Sequence, residues 1–287
     1  MDFPLWDKAA AVQQRALQSQ SLQSLQTRSD FITDQGLTFQ IRQLSNLRDK
    51  QHTAPANHSG NPFLPHEEAL YISTVGPRHK LLLNKFNVLD QHLLLVTQDF
   101  EAQQRVLNLD DFRALQRCMQ QADCLAFYNN GPTAGASQTH KHLQLIRMPA
   151  EPCELIPFQP QLQQFNDQVP RKLDALPFCH AGLALPAELF DPEYTPAEDA
   201  AVQLHNLYDR LRMTLEIEAI NDEISQPYNL LLTREWMLLV PRTQEAIDNL
   251  SLNALAFVGS ILVRDSEQAQ RVKQRGPARM LATVSGG

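Results

Sequence analysis

Apolar residues fall at Leu5, Ala9, Val12, Ala16, Leu22 and Leu25, with Gln, Ser and Lys between them. That spacing predicts an amphipathic helix over 5–27. From Phe31 the pattern shortens to strand-like pieces, and 48–65, rich in Asn, Pro, Ser, Gly and His, reads as a long loop. Three apolar runs follow, 69–75, 80–86 and 92–97, with Asn87, Asp90 and Gln91 at the second turn, and they predict an antiparallel meander. Asp110 and Asp111 stand before a helical-period segment (Phe112, Leu115, Cys118, Met119), where carboxylates suit a helix N-terminus. Strands are expected at 125–128 and 140–147. A helix is expected over 196–217, with a hairpin of 228–233 and 236–240 joined through Arg234 and Glu235. Helical segments over 250–263 and 266–275 complete the prediction. Tyr228 and Trp236 sit in apolar runs and read as core.

This succession predicts an α+β fold, a mostly antiparallel sheet flanked by helices. Proline is frequent and periodicity weak from Pro149 to Pro196. We therefore divide the chain into an N-terminal half (1–150), a Pro-rich connecting segment (151–195) and a C-terminal α/β part (196–287), packed as one compact unit. The 287 residues, 43% hydrophobic and 20% charged, are enough for a sizeable core. No apolar run approaches the roughly 18 residues of a membrane span, and no basic start precedes an apolar stretch. The expected compartment is the cytoplasm, without a membrane partner. Cys118, Cys124, Cys153 and Cys179 form no CxxC pair and read as reduced core residues, not as a zinc or disulfide framework. A net charge of −7 disfavours nucleic acid as a partner but leaves room for a small anion held by a few local cations.

The chemistry concentrates in Tyr128-Asn-Asn-Gly-Pro-Thr-Ala-Gly-Ala-Ser-Gln-Thr-His-Lys-His-Leu-Gln-Leu. Glycines let backbone approach a ligand, and amides with the Ser137 hydroxyl can donate to phosphate oxygens. On a strand His140, His142 and Gln144 share a face. A neutral imidazole can attack phosphorus if its other nitrogen is tied to a carbonyl, which fixes the tautomer. Two histidines spaced in this way also occur as half-exposed strand residues or as metal chelators. The Gly/Ser/Gln loop upstream tilts the pair toward an anion site, and no third hard ligand accompanies it.

The motif SQTHKHLQL resembles the histidine-triad superfamily, in the HxHxQ branch where glutamine replaces the last histidine. With NPFLP (61–65), LLLNKFNVLDQHLLLVTQDFE (81–101), YNLLLTREWMLLVPR (228–242), NALAFVGSILV and GPARMLATVS, the chain is more specifically similar to diadenosine tetraphosphate (Ap4A) phosphorylases, also called ATP adenylyltransferases. The resemblance runs from about residue 40 to the C-terminus and implies a histidine-triad-like fold. It implies that His142 is the nucleophile, Gln144 contacts the phosphate and His140 supports the pair. It also places Asn84, Lys85, Asn129, Gly135, Ala136, Ser137 and Gln138 at nucleotide and phosphate.

Lys50 falls where the family has a phosphate-binding lysine, although LRDKQ diverges. Asn253, Ala254, Leu255, Ser260 and Arg264 align with a nucleotide-lining block, with Ser260 in place of Met and Arg264 in place of Lys. Taken without the resemblance, Asn84 and Lys85 read as a strand end, the glycine loop as a polar turn and 253–264 as a packing helix. His92 reads as structural, and His52, His58 and His66 as loop residues.

The implied activity interconverts Ap4A and phosphate with ATP and ADP through a histidine-AMP intermediate. Mg²⁺ or another divalent cation would accompany the polyphosphate, with no dedicated protein metal site. Alternatives are another nucleotidylyltransferase, such as a uridylyltransferase, a dinucleoside polyphosphate hydrolase, or a nucleotide-binding sensor without turnover.

Overall fold

A computed structural model describes residues 4–45 and 60–287. Helix α1 (Leu5–Gln18) is followed by strands β1 (Thr27–Asp34) and β2 (Leu37–Leu44), then by β3 (Tyr71–Val75), β4 (His79–Leu83) and β5 (His92–Thr97). Next come α2 (Leu109–Met119), β6 (Cys124–Asn129), β7 (His142–Arg147), the short α3 (Gln159–Leu162) and β8 (Ala181–Ala184). After α4 (Ala197–Thr214) stand the two-residue strands β9 (Ala219–Ile220) and β10 (Glu223–Ile224), and then β11 (Tyr228–Leu232) and β12 (Trp236–Pro241). The chain finishes with β13 (Ala246–Ile247), β14 (Leu250–Ser251), β15 (Ser260–Val263), α5 (Ser266–Arg275) and α6 (Pro277–Ser285).

Eight strands form one sheet in the order β3-β4-β5-β7-β6-β11-β12-β8, so strands from both halves of the chain meet where β6 pairs with β11. Alternation assigns its two faces. Ala126, Tyr128, Leu143, Leu145, Leu230 and Leu232 pack into one apolar cluster with α1, α2 and α4. Leu125, Phe127, Ile146, Leu231, Leu238 and Val240 pack into another with β2, β15, α6 and the connecting segment. Burial on both faces explains why β6, β11 and β12 read as continuous apolar runs. His142 and Gln144 alternate onto the second face with Ile146. A smaller sheet, β1-β2-β15, lies on that side, with β15 parallel to β2.

The α+β expectation, the meander, the hairpin with Arg234 and Glu235 at its turn, and α2, α4 and α5 all stand. Helix α2 starts as its acidic pair suggested. Asn108 accepts from the amides of Asp110 and Asp111, and Asp111 returns a bond to the Asn108 amide. Tyr228 and Trp236 are fully buried.

Several boundaries need correction. The N-terminal helix stops at Gln18, because Gln20 takes a positive φ. Leu22 and Leu25 are buried, but in an extended segment whose amides at Gln23 and Leu25 donate to the carbonyls of Lys85 and Asn87. Residues 250–263 are not helical. They form β14, a 3₁₀ turn (Ala254–Val258) capped by Asn253, a left-handed Gly259 and then β15. Strand β1 begins before Phe31, β7 begins at His142 instead of His140, and α6 was not foreseen. Among the cysteines Cys118 and Cys124 are buried free thiols, whereas Cys153 is exposed and Cys179 half-buried.

Candidate active site

His142 opens β7, and its side chain is nearly enclosed, 4% exposed. Its Nδ1 lies 2.8 Å from the carbonyl oxygen of His140. A carbonyl can only accept, so Nδ1 carries the proton and Nε2 holds the lone pair. Burial pushes the imidazole down to about 4, against the partial restoring effect of that hydrogen bond. The ring is therefore neutral and nucleophilic at physiological pH.

His140 precedes the strand, bridged to Ala102. Its Nε2 sits 3.0 Å from Thr97 O and 3.1 Å from Asp99 O, which makes it the donor there, and its Nδ1 accepts from Asn61 Nδ2 at 2.9 Å. The ring of Phe63 packs against both histidines, at 5.6 and 5.4 Å between centroids, and Lys80 Nζ donates to Phe63 O at 2.7 Å. NPF is thus a wall of the site.

Gln144 lies two residues further along the same face. Its Oε1 accepts from His92 Nε2 at 2.8 Å, and His92 Nδ1 in turn lies 3.3 Å from Asn84 Nδ2. Burial lowers His92 to about 4, so this ring too is neutral, donating with one nitrogen and accepting with the other. The relay Asn84, His92, Gln144 fixes the glutamine oxygen and leaves its amide nitrogen as the end able to donate to an anion. The structural role that the sequence suggests for His92 takes the form of this bond to Gln144, set by the register between β5 and β7 that pairs Leu94 with Gln144.

The loop before the histidines turns through Pro132–Ala134 between two left-handed glycines, Gly131 and Gly135. A Cβ on Gly135, whose φ is +88°, would lie 3.0 Å from Asn253 Cα and Cβ, so any larger residue strains this approach. The amides of Gly135 and Ala136 are used inside the loop, on Pro132 O and Gly131 O. Ser137 is exposed and Gln138 half-buried beyond them.

Two patterns cover nearly the whole chain: the Ap4A phosphorylase N-terminal domain matches residues 2–164 and the ATP adenylyltransferase C-terminal domain residues 174–286. The chain belongs to the Ap4A phosphorylase family. Among its relatives in Saccharomyces cerevisiae, diadenosine 5',5'''-P1,P4-tetraphosphate phosphorylase 2 is 32% identical over 240 residues, 75% of this chain and 72% of that protein. Protein APA1 of the same yeast is 28% identical over 263 residues, 83% of this chain and 79% of its own length. The crystal structure of yeast Ap4A phosphorylase Apa2 superposes with a TM-score of 0.80 at 26% identity, covering 99% of this chain and 95% of that one. Apa2 in complex with Ap4A gives 0.77 at 25% identity, covering 98% and 96%.

The other positions implied by the resemblance lie in different parts of the fold. Asn129, Asn253 and Ala254 gather under the glycine loop: Asn129 Oδ1 accepts from Asn229 Nδ2 at 2.8 Å and from the Ala254 amide at 3.0 Å. Asn253 caps the 3₁₀ turn, and Leu255 is half-buried behind it. Lys85, next to Asn84, is ion-paired with Glu67 at 2.7 Å. Ser260 and Arg264 belong to the small sheet and its exit, and Ser260 Oγ accepts from Arg42 Nε at 3.3 Å. Lys50, His52 and His58 lie outside the described residues, and His66 stacks on Tyr71.

Sequence reading missed the supports. Arg242, 1% exposed, donates to Ala134 O, Asn229 Oδ1, Gln244 O and Glu245 O, and its desolvation lowers it to about 10. Gln103, also 1% exposed, bonds to the backbone of His142. Neither stands in the glycine-histidine segment, and a lone Arg or Gln in a chain gives no local signal.

Proposed function

We propose that this chain is an Ap4A phosphorylase that moves AMP through His142. Nε2 attacks the α-phosphorus of the dinucleotide, the bond from that phosphorus to its bridging oxygen breaks, and ATP departs. An oxygen of inorganic phosphate then attacks the same phosphorus, the N–P bond breaks, and ADP leaves. The observation that carries the reading is the Nδ1–H bond from His142 to His140 O, which holds Nε2 unprotonated beside Gln144. In this reading the Gln144 amide and the loop amides beyond Ala136 stabilise charge on the transferring group.

Among the described residues no three His, Cys, Asp or Glu side chains converge on one point. In this reading Mg²⁺ arrives with the polyphosphate as its counter-ion and neutralises its charge there. No helix among the described residues is long and apolar enough to cross a membrane.

Incubation with α-labelled Ap4A, followed by phosphate or water alone, tests donor, intermediate and acceptor together. Label should appear on the protein, vanish in His142→Asn, and leave as ADP far faster with phosphate than without it. Equal rates of departure would make the protein a hydrolase, and nucleotide binding without label a sensor.

A further inference from the structure

Strands β6 and β7 pair in regular antiparallel register from Cys124↔Arg147 to Phe127↔Gln144. Continued by two residues, that register would set Asn129 against His142. The pair does not form. In its place lies the side-chain amide of Gln103, which accepts from the His142 amide at 2.8 Å. It also donates from Nε2 to His142 O at 3.1 Å and to Asn129 O at 2.9 Å. One side chain thus takes the place of a peptide group, satisfying backbone atoms that the parted strands leave behind.

The insert is itself fixed. The Gln103 amide donates to Thr139 O at 2.8 Å, the Tyr128 hydroxyl donates to Gln103 O, and Asn130 Nδ2 donates to Gln104 O at 3.0 Å. On its other side β7 is held by β5, where Val96 pairs with His142. Asn129 and His142, which flank the insert, both face the glycine loop side of the sheet. Were the strands to zip directly, their backbones would close to ordinary ladder spacing and both side chains would shift.

We propose that Gln103 is a positioning residue for adenylyl transfer. Its amide holds β6 and β7 apart at the site and seats the His142 backbone, so that Nε2 faces the α-phosphorus. This role rests on the adenylyl-transfer reading above. Gln103 touches no reacting atom, and its effect passes through His142.

Three proteins test it, each followed by rapid quench with α-labelled Ap4A. Gln103→Met keeps the volume and removes all three side-chain bonds. Histidine labelling should slow by roughly ten- to a hundred-fold, the scale expected for a misplaced reacting group, while KM changes less than about twofold. Gln103→Glu keeps the acceptor but, when ionised, turns a second oxygen on two carbonyls. Protonation restores one donor. Its rate relative to wild type should therefore climb as pH falls from 8 to 5, whereas the ratio for Gln103→Met stays flat.

Should Gln103→Met fail to fold, the pH course of Gln103→Glu decides alone. Labelling of Gln103→Met at the wild-type rate, a loss confined to KM, or a flat ratio for Gln103→Glu would overturn the role of Gln103 while leaving the histidine mechanism intact. Wild-type protein that never takes the label would overturn the adenylyl-transfer reading and this role with it.

Discussion

At the scale of the residue, the decisive fact about His142 is its proton. An exposed imidazole would begin to lose nucleophilicity below its ordinary 6.5, whereas this one, held near 4 by burial, stays neutral through that range. Single-turnover labelling should accordingly persist to about pH 5, and an acid limb centred near 6.5 would show that the ring is not enclosed in solution. His92 acts at one remove. His92→Phe breaks its bond to Gln144 Oε1 and lets the amide turn, so the transfer rate should fall by roughly ten- to a thousand-fold, as for loss of a donor to the transition state. Adding Gln144→Ala to His92→Phe should cost little more than Gln144→Ala alone, because the two act as one unit. Additive losses in that double-mutant cycle would separate them. Strand alternation made His140, His142 and Gln144 legible in the sequence. His92 was not, because its meaning depends on the β5–β7 register, which no local pattern encodes.

The elements bring a second consequence of the same alternation. Between two histidines that face the site, Lys141 points to the helical side, fully buried, with Nζ 2.5 Å from Asp111 Oδ2. Asp111 Oδ1 lies 2.8 Å from His79 Nε2, and Asp111 also closes the N-terminus of α2. One carboxylate therefore ties α2, β4 and the start of β7 together. Lys141→Met leaves that charge buried without its cationic partner, with only the His79 bond and the α2 cap remaining, and we expect a loss on the order of 3–5 kcal/mol in urea unfolding. An exposed pair such as Lys85 with Glu67 should contribute about 1 kcal/mol or less. A Lys141→Met midpoint close to wild type would mean that the network is dispensable. Helix α2 was readable because its signal is local: the Asp110–Asp111 pair ahead of an apolar stripe. Residues 250–263 were misread because their apolar spacing mimics a helix, while what decides their form is distant. Asn129 claims the Ala254 amide, and β2 claims β15. For the same reason Leu22 and Leu25 reached the core without a helix.

At the scale of the whole molecule, desolvation holds His92, His142 and His180 near 4 instead of 6.5. The unfolded chain binds their protons first as pH falls, so stability is full above about 6.5 and declines steadily toward 4. Thermal melts from pH 7.5 to 4.5 should show this fall, with up to about three protons taken up on unfolding. His180→Gln should flatten the slope without altering histidine labelling. A melting point independent of pH in that window would contradict the burial. The site itself spans the chain: Arg242 and Asn229 reach Ala134, and Ala254 closes on Asn129. During synthesis, a chain still on the ribosome holds the complete HxHxQ motif long before those partners have left the exit tunnel. Such a nascent chain carries His142 without Asn229, Arg242 and Ala254 around Ala134 and Asn129, so on the proposed reading the ligand site forms only once residues 229–254 have emerged. On that reading nucleotide would stabilise chains folded through Ala254 and leave shorter ones unaffected, by mass action on the folded state alone.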